Sequence, residues 1–505
     1  MRADLPGALI VSGGPGTGKT AVALHRAAYL LYTHRFPLEG QGVLVIGPNR
    51  LFLGYIEQVL PSLGEAGVEL AVLADLLSGA PTIRGTDRPG AARIKGDLRM
   101  ADVLAKAVRD RRRPLKADLE VGYGVEVLRV RAGRTQQIVN EARRRARTHN
   151  AGRKFVEAGL YEALAQSSRF EPEVADVRDR LRLDPLVKEA LERMWPVLTP
   201  AQFLHDLFGS KPLLRLAAGS LLADDEIDAL HRRRSESLAD AAFTSDDVPL
   251  LDEARWLLGA KPRKRLNGSA DDDVRTYGHL IVDEAQDLSP MQLRMLGRRS
   301  LNGSLTIVGD IAQATGAWAH GDWDEILEHL PTERRAPRRA ELTIGYRIPA
   351  PNMALAARVL TVAAPDLRPP RSVREDGDPP RFVRAADPAR LAEAVAAAVV
   401  GERDAVGTGN IAVIVPSSLV DEVAKALEDA GFEFGIAPRS GLELQITVVP
   451  VGMVKGLEVD ASVVVEPAGI VAEEAQGHRA LYVALTRSTK RLCIVHAEPL
   501  PPTLA

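Results

Sequence analysis

Gly13-Gly14-Pro15-Gly16-Thr17-Gly18-Lys19-Thr20 follows the apolar run Ala8-Leu9-Ile10-Val11 and precedes Ala21-Val22-Ala23-Leu24, whose spacing is helical. Strand, glycine-rich turn, Gly-Lys-Thr and helix, in that order, are the context a phosphate-binding loop requires. Glycines let successive backbone N–H groups turn inward and cradle phosphate oxygens. The helix that begins at the loop adds its positive dipole end. Lys19 is expected to reach the β- and γ-phosphates, and the Thr20 hydroxyl to ligate Mg²⁺. Gly13, Gly14, Pro15, Gly16, Thr17 and Gly18 complete the expected ATP-binding loop.

Outward from the loop, strand and helix alternate. Gly42-Val43-Leu44-Val45-Ile46-Gly47-Pro48 reads as a second buried strand, Leu51–Leu60 as a helix stopped by Pro61, and Val68–Leu73 as a third strand. Such alternation predicts a parallel sheet covered by helices. From about residue 85 to 275 strand-like runs become rare. Arginine clusters appear at Arg111-Arg112-Arg113, Arg143-Arg144-Arg145 and Arg232-Arg233-Arg234. Gln136–Arg147 and Leu186–Met194 have helical spacing. The segment reads as a mostly helical insertion. Its basic clusters are either phosphate contacts or solvated helix faces paired with neighbouring acids. A loop rich in charge and small residues, Lys261–Thr276, closes it.

The strand pattern then returns. His279-Leu280-Ile281-Val282 ends in Asp283-Glu284, and Ser304-Leu305-Thr306-Ile307-Val308-Gly309 ends in Asp310. Polar groups at the carboxyl ends of parallel strands are where open α/β sheets build their sites. Hydrolysis of a phosphoanhydride needs one carboxylate for Mg²⁺ and another to orient and deprotonate water. Adjacent residues at one strand end supply both: Asp283 for the metal and Glu284 for the water. A second α/β unit follows residue 345, with strands at Arg381–Val383, Asn410–Val415, Gln445–Val449, Ser462–Glu466 and Arg491–Val495. Helices are expected at Pro388–Val400 and near His478–Arg487, and Pro365–Pro380 reads as a linker or surface loop.

Composition sets outer bounds. At 505 residues, 46% hydrophobic and 26% charged, the chain suits a protein of two to four domains. A net charge of −2 gives no global basic field, so any nucleic-acid surface must be local. The lone Cys493 excludes an internal disulfide and a multi-cysteine zinc site, and its apolar neighbours predict a buried packing role. No apolar run of about 18 residues predicts a membrane span. The first residues do not read as a signal peptide, so a cytoplasmic location is expected.

With these residues in place, the chain resembles the UvrD/Rep-like superfamily 1 helicases. Asp283-Glu284-Ala285-Gln286-Asp287 is similar to their DEAQD motif II, and Gly309-Asp310-Ile311-Ala312-Gln313 to the GDxxQ motif III. Gly345-Tyr346-Arg347 resembles motif IV, Lys455-Gly456-Leu457-Glu458 the KGLE of motif V, and Leu481–Arg487 the LYVALTR of motif VI. The resemblance implies two RecA-like P-loop lobes with parallel sheets, an α/β fold, plus a helical insertion in the first lobe. The corresponding segments are 1–84 and 276–345 for the first lobe, 85–275 for the insertion and 346–505 for the second lobe. It also implies roles. Arg347 and Arg487 reach the γ-phosphate from the second lobe, Gln313 senses the γ-phosphate and the attacking water, and Glu458 contacts the ribose. Trp318 falls where the family stacks a base, with Gly316 in place of the usual Tyr; stacking and packing are both open for it.

A finer resemblance is to HelD-like proteins, UvrD-related ATPases that act on bacterial RNA polymerase. It is carried by Ala23–Tyr32, by Val45–Arg50 with Phe52, and by Thr244–Glu253. It implies ATP and Mg²⁺ as cofactors, and nucleic acid, DNA in particular, with RNA polymerase as partners and no membrane. A single-stranded DNA translocase or 3′–5′ helicase, and a nucleotide-gated binding module without hydrolysis, are the alternatives. The sequence has no counterpart ahead of Gly13 to the family's adenine-reading glutamine motif, nor to the long N-terminal arm of HelD-like proteins. Either the family role is reduced here or the reading frame starts further upstream. The span of about a hundred residues from Arg347 to Lys455 leaves little room for the second-lobe insertion of processive UvrD-like enzymes.

Overall fold

Four apolar runs line up side by side in a six-stranded parallel sheet. Its order is Arg338–Leu342, Ala8–Gly13, Leu305–Gly309, His279–Val282, Val43–Ile46, Val68–Ala71. His279–Val282, Val43–Ile46 and Leu305–Gly309 are buried at every position, as parallel strands covered on both faces must be. The helix Lys19–Thr33 turns Ala23, Leu24, Ala27, Leu30 and Leu31 inward, and Leu9, Val11, Val45 and Val308 of the sheet belong to the same core. The outer strand Arg-Arg-Ala-Glu-Leu at 338–342 is largely exposed, and its charges blunt an open sheet edge.

A second six-stranded parallel sheet runs Arg381–Arg384, Ser488–His496, Val459–Val465, Ile411–Val415, Ile446–Pro450, Phe434–Ile436. Its side chains alternate between two cores with the period of a strand. Val413, Val448, Val463 and Cys493 pack with Val395 and Val399 of the helix Leu391–Val406. Ile414, Val449, Val464 and Ile494 pack with Leu360 of Ala350–Ala363 and Leu481 of Gly477–Leu485. Cys493 is free and buried, as its apolar setting predicts. Pro365–Pro380 is not wholly loop: Arg371–Ser372 pairs in parallel with Ile344–Gly345.

This computed structural model describes the chain apart from residues 60–66, 78, 80, 262–273, 333–334 and 438–443, so most of the predicted loop Lys261–Thr276 lies outside the described residues. The chain divides into two units. Met1–Val72, Thr276–Leu288 and Arg299–Ala505 form the first and hold both large sheets. Leu73–Arg275 with Ser289–Arg298 form the second.

The second unit is mainly helical, with two short strand pairs: parallel Ile83–Gly85 with Phe243–Thr244, and antiparallel Leu119–Tyr123 with Glu126–Val130. The predicted helices run Ala132–Arg145 and Pro185–Met194. The latter starts on Asp184, whose Oδ1 accepts from the N–H groups of Leu186 (2.8 Å) and Val187 (3.2 Å). The helix Pro290–Gly297, close behind Asp283-Glu284 in sequence, belongs to this unit through buried charge. Arg294 pairs with Glu253 at 2.9 Å, and Arg298 pairs with Asp252 at 2.9 Å and also with Glu253. Among the described residues no helix is long and apolar enough to cross a membrane.

Candidate active site

Three neighbouring strands of the first sheet end side by side. Ala8–Gly13 runs into the glycine-rich loop, Leu305–Gly309 into Asp310, and His279–Val282 into Asp283 and Glu284. Parallel register therefore delivers residues far apart in sequence to one edge. The loop turns through left-handed backbone at Gly16 (φ 71°) and Gly18 (φ 81°), and the helix begins at Lys19. Space decides the glycines as much as conformation does. A Cβ on Gly14 would sit 2.5 Å from Pro370 Cδ, and one on Gly16 2.7 Å from Arg347 Cβ. The Tyr346 N–H donates to Gly16 O at 2.9 Å, so the 345–347 stretch is bonded directly to the loop. Thr17 Oγ1 and Lys19 Nζ both donate to Gly14 O, at 2.9 and 3.0 Å.

Thr20 Oγ1 donates to Asp283 Oδ2 at 2.7 Å, and Asp283 Oδ1 accepts the Glu284 N–H at 2.9 Å. Burial, reinforced by the adjacent Glu284 charge, pushes the Asp283 carboxyl up to about 6. Among the described residues Glu284 is one of few non-glycine residues with positive φ, 50°. Such strain costs on the order of 1–3 kcal/mol and persists where surrounding contacts fix it.

Those contacts form a continuous relay. Gln286 Nε2 donates to Glu284 Oε2, and Gln286 Oε1 accepts the Asp310 N–H at 3.0 Å. Gln313 Nε2 donates to Asp310 Oδ2 at 2.7 Å, and Arg487 Nη2 donates to Gln313 Oε1 at 2.9 Å. Both amide orientations are forced, since each nitrogen faces a carboxylate and each oxygen faces a donor. Arg487 comes from the helix end that packs on the second sheet, and its Nε donates to Val483 O at 2.9 Å. Burial pulls the Arg487 guanidinium down, and the Glu284 charge is the largest opposing influence. Burial likewise raises Asp310, opposed chiefly by Lys19. A separate bridge joins Lys455 Nζ to the Asp287 carboxylate at 2.5 Å.

The structure thus gathers Lys19, Thr20, Asp283, Glu284, Gln313 and Arg487. Arg347 lies against Gly16 through its Cβ, while its guanidinium pairs with Glu458 at 2.6 Å. Trp318 is half-buried and is not among the groups gathered here. Gln286 and Gly309 take part as well, and local pattern assigns neither of them a role. A Cβ on Gly309 would lie 2.1 Å from Gln286 Oε1 and 3.1 Å from the Trp323 ring. Gly309→Ala is therefore expected to displace Gln286 and lower thermal stability by about 1–3 kcal/mol. A thermal melt of the variant checks this.

Among the described residues no three His, Cys, Asp or Glu side chains converge as for a metal ion. Mg²⁺ does not need them: it takes one or two protein oxygens and completes its shell with water and substrate phosphates. Thr20 Oγ1 and Asp283 Oδ2, 2.7 Å apart, are a hard oxygen pair of the kind it uses. Among known proteins, no protein-family model and no curated protein matches the chain. One solved structure to which it is similar is the C-terminal domain of a possible DNA helicase from Lactobacillus plantarum WCFS1. Identity is 24% over 32% of this chain and 92% of that one, with a TM-score of 0.25, a weak and partial likeness.

Proposed function

We propose that the protein is an ATP-hydrolysing motor of the UvrD/HelD kind, with two RecA-like lobes, working on nucleic acid. The observation that carries the reading is the relay from Glu284 through Gln286, Asp310 and Gln313 to Arg487. It ties a general base on the wall of the glycine-rich loop to a guanidinium from the second sheet. In the proposed site the loop N–H groups and Lys19 bind the β- and γ-phosphates. Thr20 and Asp283 would hold Mg²⁺, which offsets phosphate charge when bound. Glu284 orients and deprotonates water, Gln313 senses the γ-phosphate, and Arg487 and Arg347 stabilise the transferring phosphoryl group. Glu458, now paired with Arg347, contacts the ribose. Phosphate release from ATP by the full chain, with and without single-stranded DNA, tests this. Turnover is expected; its absence with ATP still bound would leave a nucleotide-gated binding module.

The HelD-like residues point further, to remodelling of RNA polymerase–nucleic acid complexes. Retention of bacterial RNA polymerase with DNA-insensitive turnover supports that. Strong DNA stimulation without polymerase binding favours a single-stranded DNA translocase.

Asp283 adds a pH dependence. Its folded value, about 6, lies above its ordinary 3.8. The ligand-free fold therefore holds the extra proton between these values and loses stability as pH rises through them. The ionised carboxylate is the metal ligand, so Mg²⁺-dependent ATPγS affinity should fall as pH drops below about 6, by up to about tenfold per unit. Calorimetric titrations from pH 5 to about 8 check this; a flat profile excludes Asp283 as the ligand.

A further inference from the structure

Residues 129–154 carry nine Arg or Lys against the single acid Glu141, in a chain whose net charge is −2. The helical unit gathers part of this excess with a second basic run. Arg143 Nη2 donates to Arg112 O at 2.6 Å, which ties the end of the helix Ala132–Arg145 to the turn after Arg99–Arg109. Arg112 lies over the Trp195 ring at 4.9 Å and donates to His149 Nδ1 at 3.3 Å. The His149 ring stacks on Trp195, 5.4 Å between centroids. A neutral aromatic floor thus holds one guanidinium in place. Burial first, and then the charges of Arg143 and Arg109, lower Arg112 to about 10.

Pairing separates these arginines from the others. Elsewhere in the unit Arg129 pairs with Asp118, Arg193 with Glu189 and Arg234 with Asp206. Among the described residues Arg109, Arg112, Arg113, Arg143, Arg144 and Arg147 form no ion pair; all but the half-buried Arg112 are exposed. Two helix C-termini meet here, and their carbonyl ends attract cations. Each end amounts to roughly half a charge, too little to balance six guanidinium groups. Nearly every cation is Arg rather than Lys, the side chain that grips phosphate in a two-pronged fashion.

We propose that this surface, Arg109, Arg112, Arg113, Arg143, Arg144 and Arg147, binds the sugar–phosphate backbone of a nucleic acid without reading its sequence. Binding here needs no ATP hydrolysis, so it stands or falls apart from the proposed motor.

The test is fluorescence anisotropy of a labelled DNA duplex with the full chain, without nucleotide, across a salt series. Wild type is expected to weaken steadily with salt. Arg143→Gln/Arg144→Gln should flatten the slope of log affinity against log salt by about 2 and weaken binding roughly 10–100-fold at about 0.1 M salt. Arg129→Gln/Arg193→Gln, which removes exposed arginines already paired, should bind as wild type does. Lys19→Ala should keep its DNA affinity, which separates this surface from the nucleotide site. An unchanged slope in Arg143→Gln/Arg144→Gln, or no DNA binding by wild type, overturns the proposal. So does poly-glutamate competing as well as DNA, which would assign the surface to an acidic protein.

Discussion

Arg487→Lys is expected to lower ATP turnover by about 10³-fold or more, within the range an arginine finger supplies to phosphoryl transfer. The charge survives but the fork does not. Nε reaches Val483 O and Nη2 reaches Gln313 Oε1 in different directions. One ammonium on a flexible stem cannot make both contacts and still meet a phosphate. Arg487 is buried at 5% exposure, so one acceptor loses its donor, at a stability cost of about 1–3 kcal/mol. Thermal melting separates that loss from catalysis. ATPγS affinity should stay within a few-fold while kcat falls. A kcat within about tenfold of wild type would remove Arg487 from the transition state.

Glu284→Gln should bind ATP and fail to hydrolyse it, with kcat down about 10²–10⁴-fold, the usual contribution of a positioned base. The amide is isosteric, and its oxygen still accepts from Gln286 Nε2, so the relay and the φ of 50° are retained. Single-turnover mixing should show nucleotide bound and unreacted. A second effect follows from charge. Glu284 helps hold Asp283 up, so neutralising it lowers the Asp283 value and carries Mg²⁺-dependent binding to lower pH. Loss of turnover with an unmoved pH edge would mean that the two carboxylates do not share a field. Retained turnover would reject Glu284 as the base.

The interior of both sheets was legible because central parallel strands are continuous apolar runs, as in Val-Leu-Val-Ile at 43–46 and Ile-Ala-Val-Ile-Val at 411–415. The outer strand Arg338–Leu342 was not, since its first four residues, on both faces, meet water and leave no apolar signature. Ala350–Ala363 was missed as well, and Pro349 and Pro351 around its start belong to a helix N-terminus rather than a loop. The N-terminal segment of the two-sheet unit runs to Val72, whereas the sequence pattern places the start of the helical insertion at about residue 85; the strand Ile83–Gly85 pairs with Phe243–Thr244 of the helical unit. The placement of Lys19 and Thr20 at the start of a helix after one strand, and of Asp283 and Glu284 at the end of another, was readable from local pattern. The closeness of Pro370 to Gly14, the need for glycine at 309 and the pairing of Arg347 with Glu458 were not. Each joins segments distant in sequence, and no local period encodes such contacts. The arginine runs divided in the same way. Arg234 found an acid across the fold, and Arg143 and Arg144 did not.

Everything chemical rests on a triphosphate being held by the loop 13–20. Calorimetric titration of Mg²⁺·ATPγS into the wild-type chain and into Lys19→Ala measures this directly. Saturable binding by wild type, weakened at least about a hundredfold when the charge-assisted contacts of Lys19 are lost, is the predicted result. Equal affinities, or no heat from wild type at neutral pH, would contradict it.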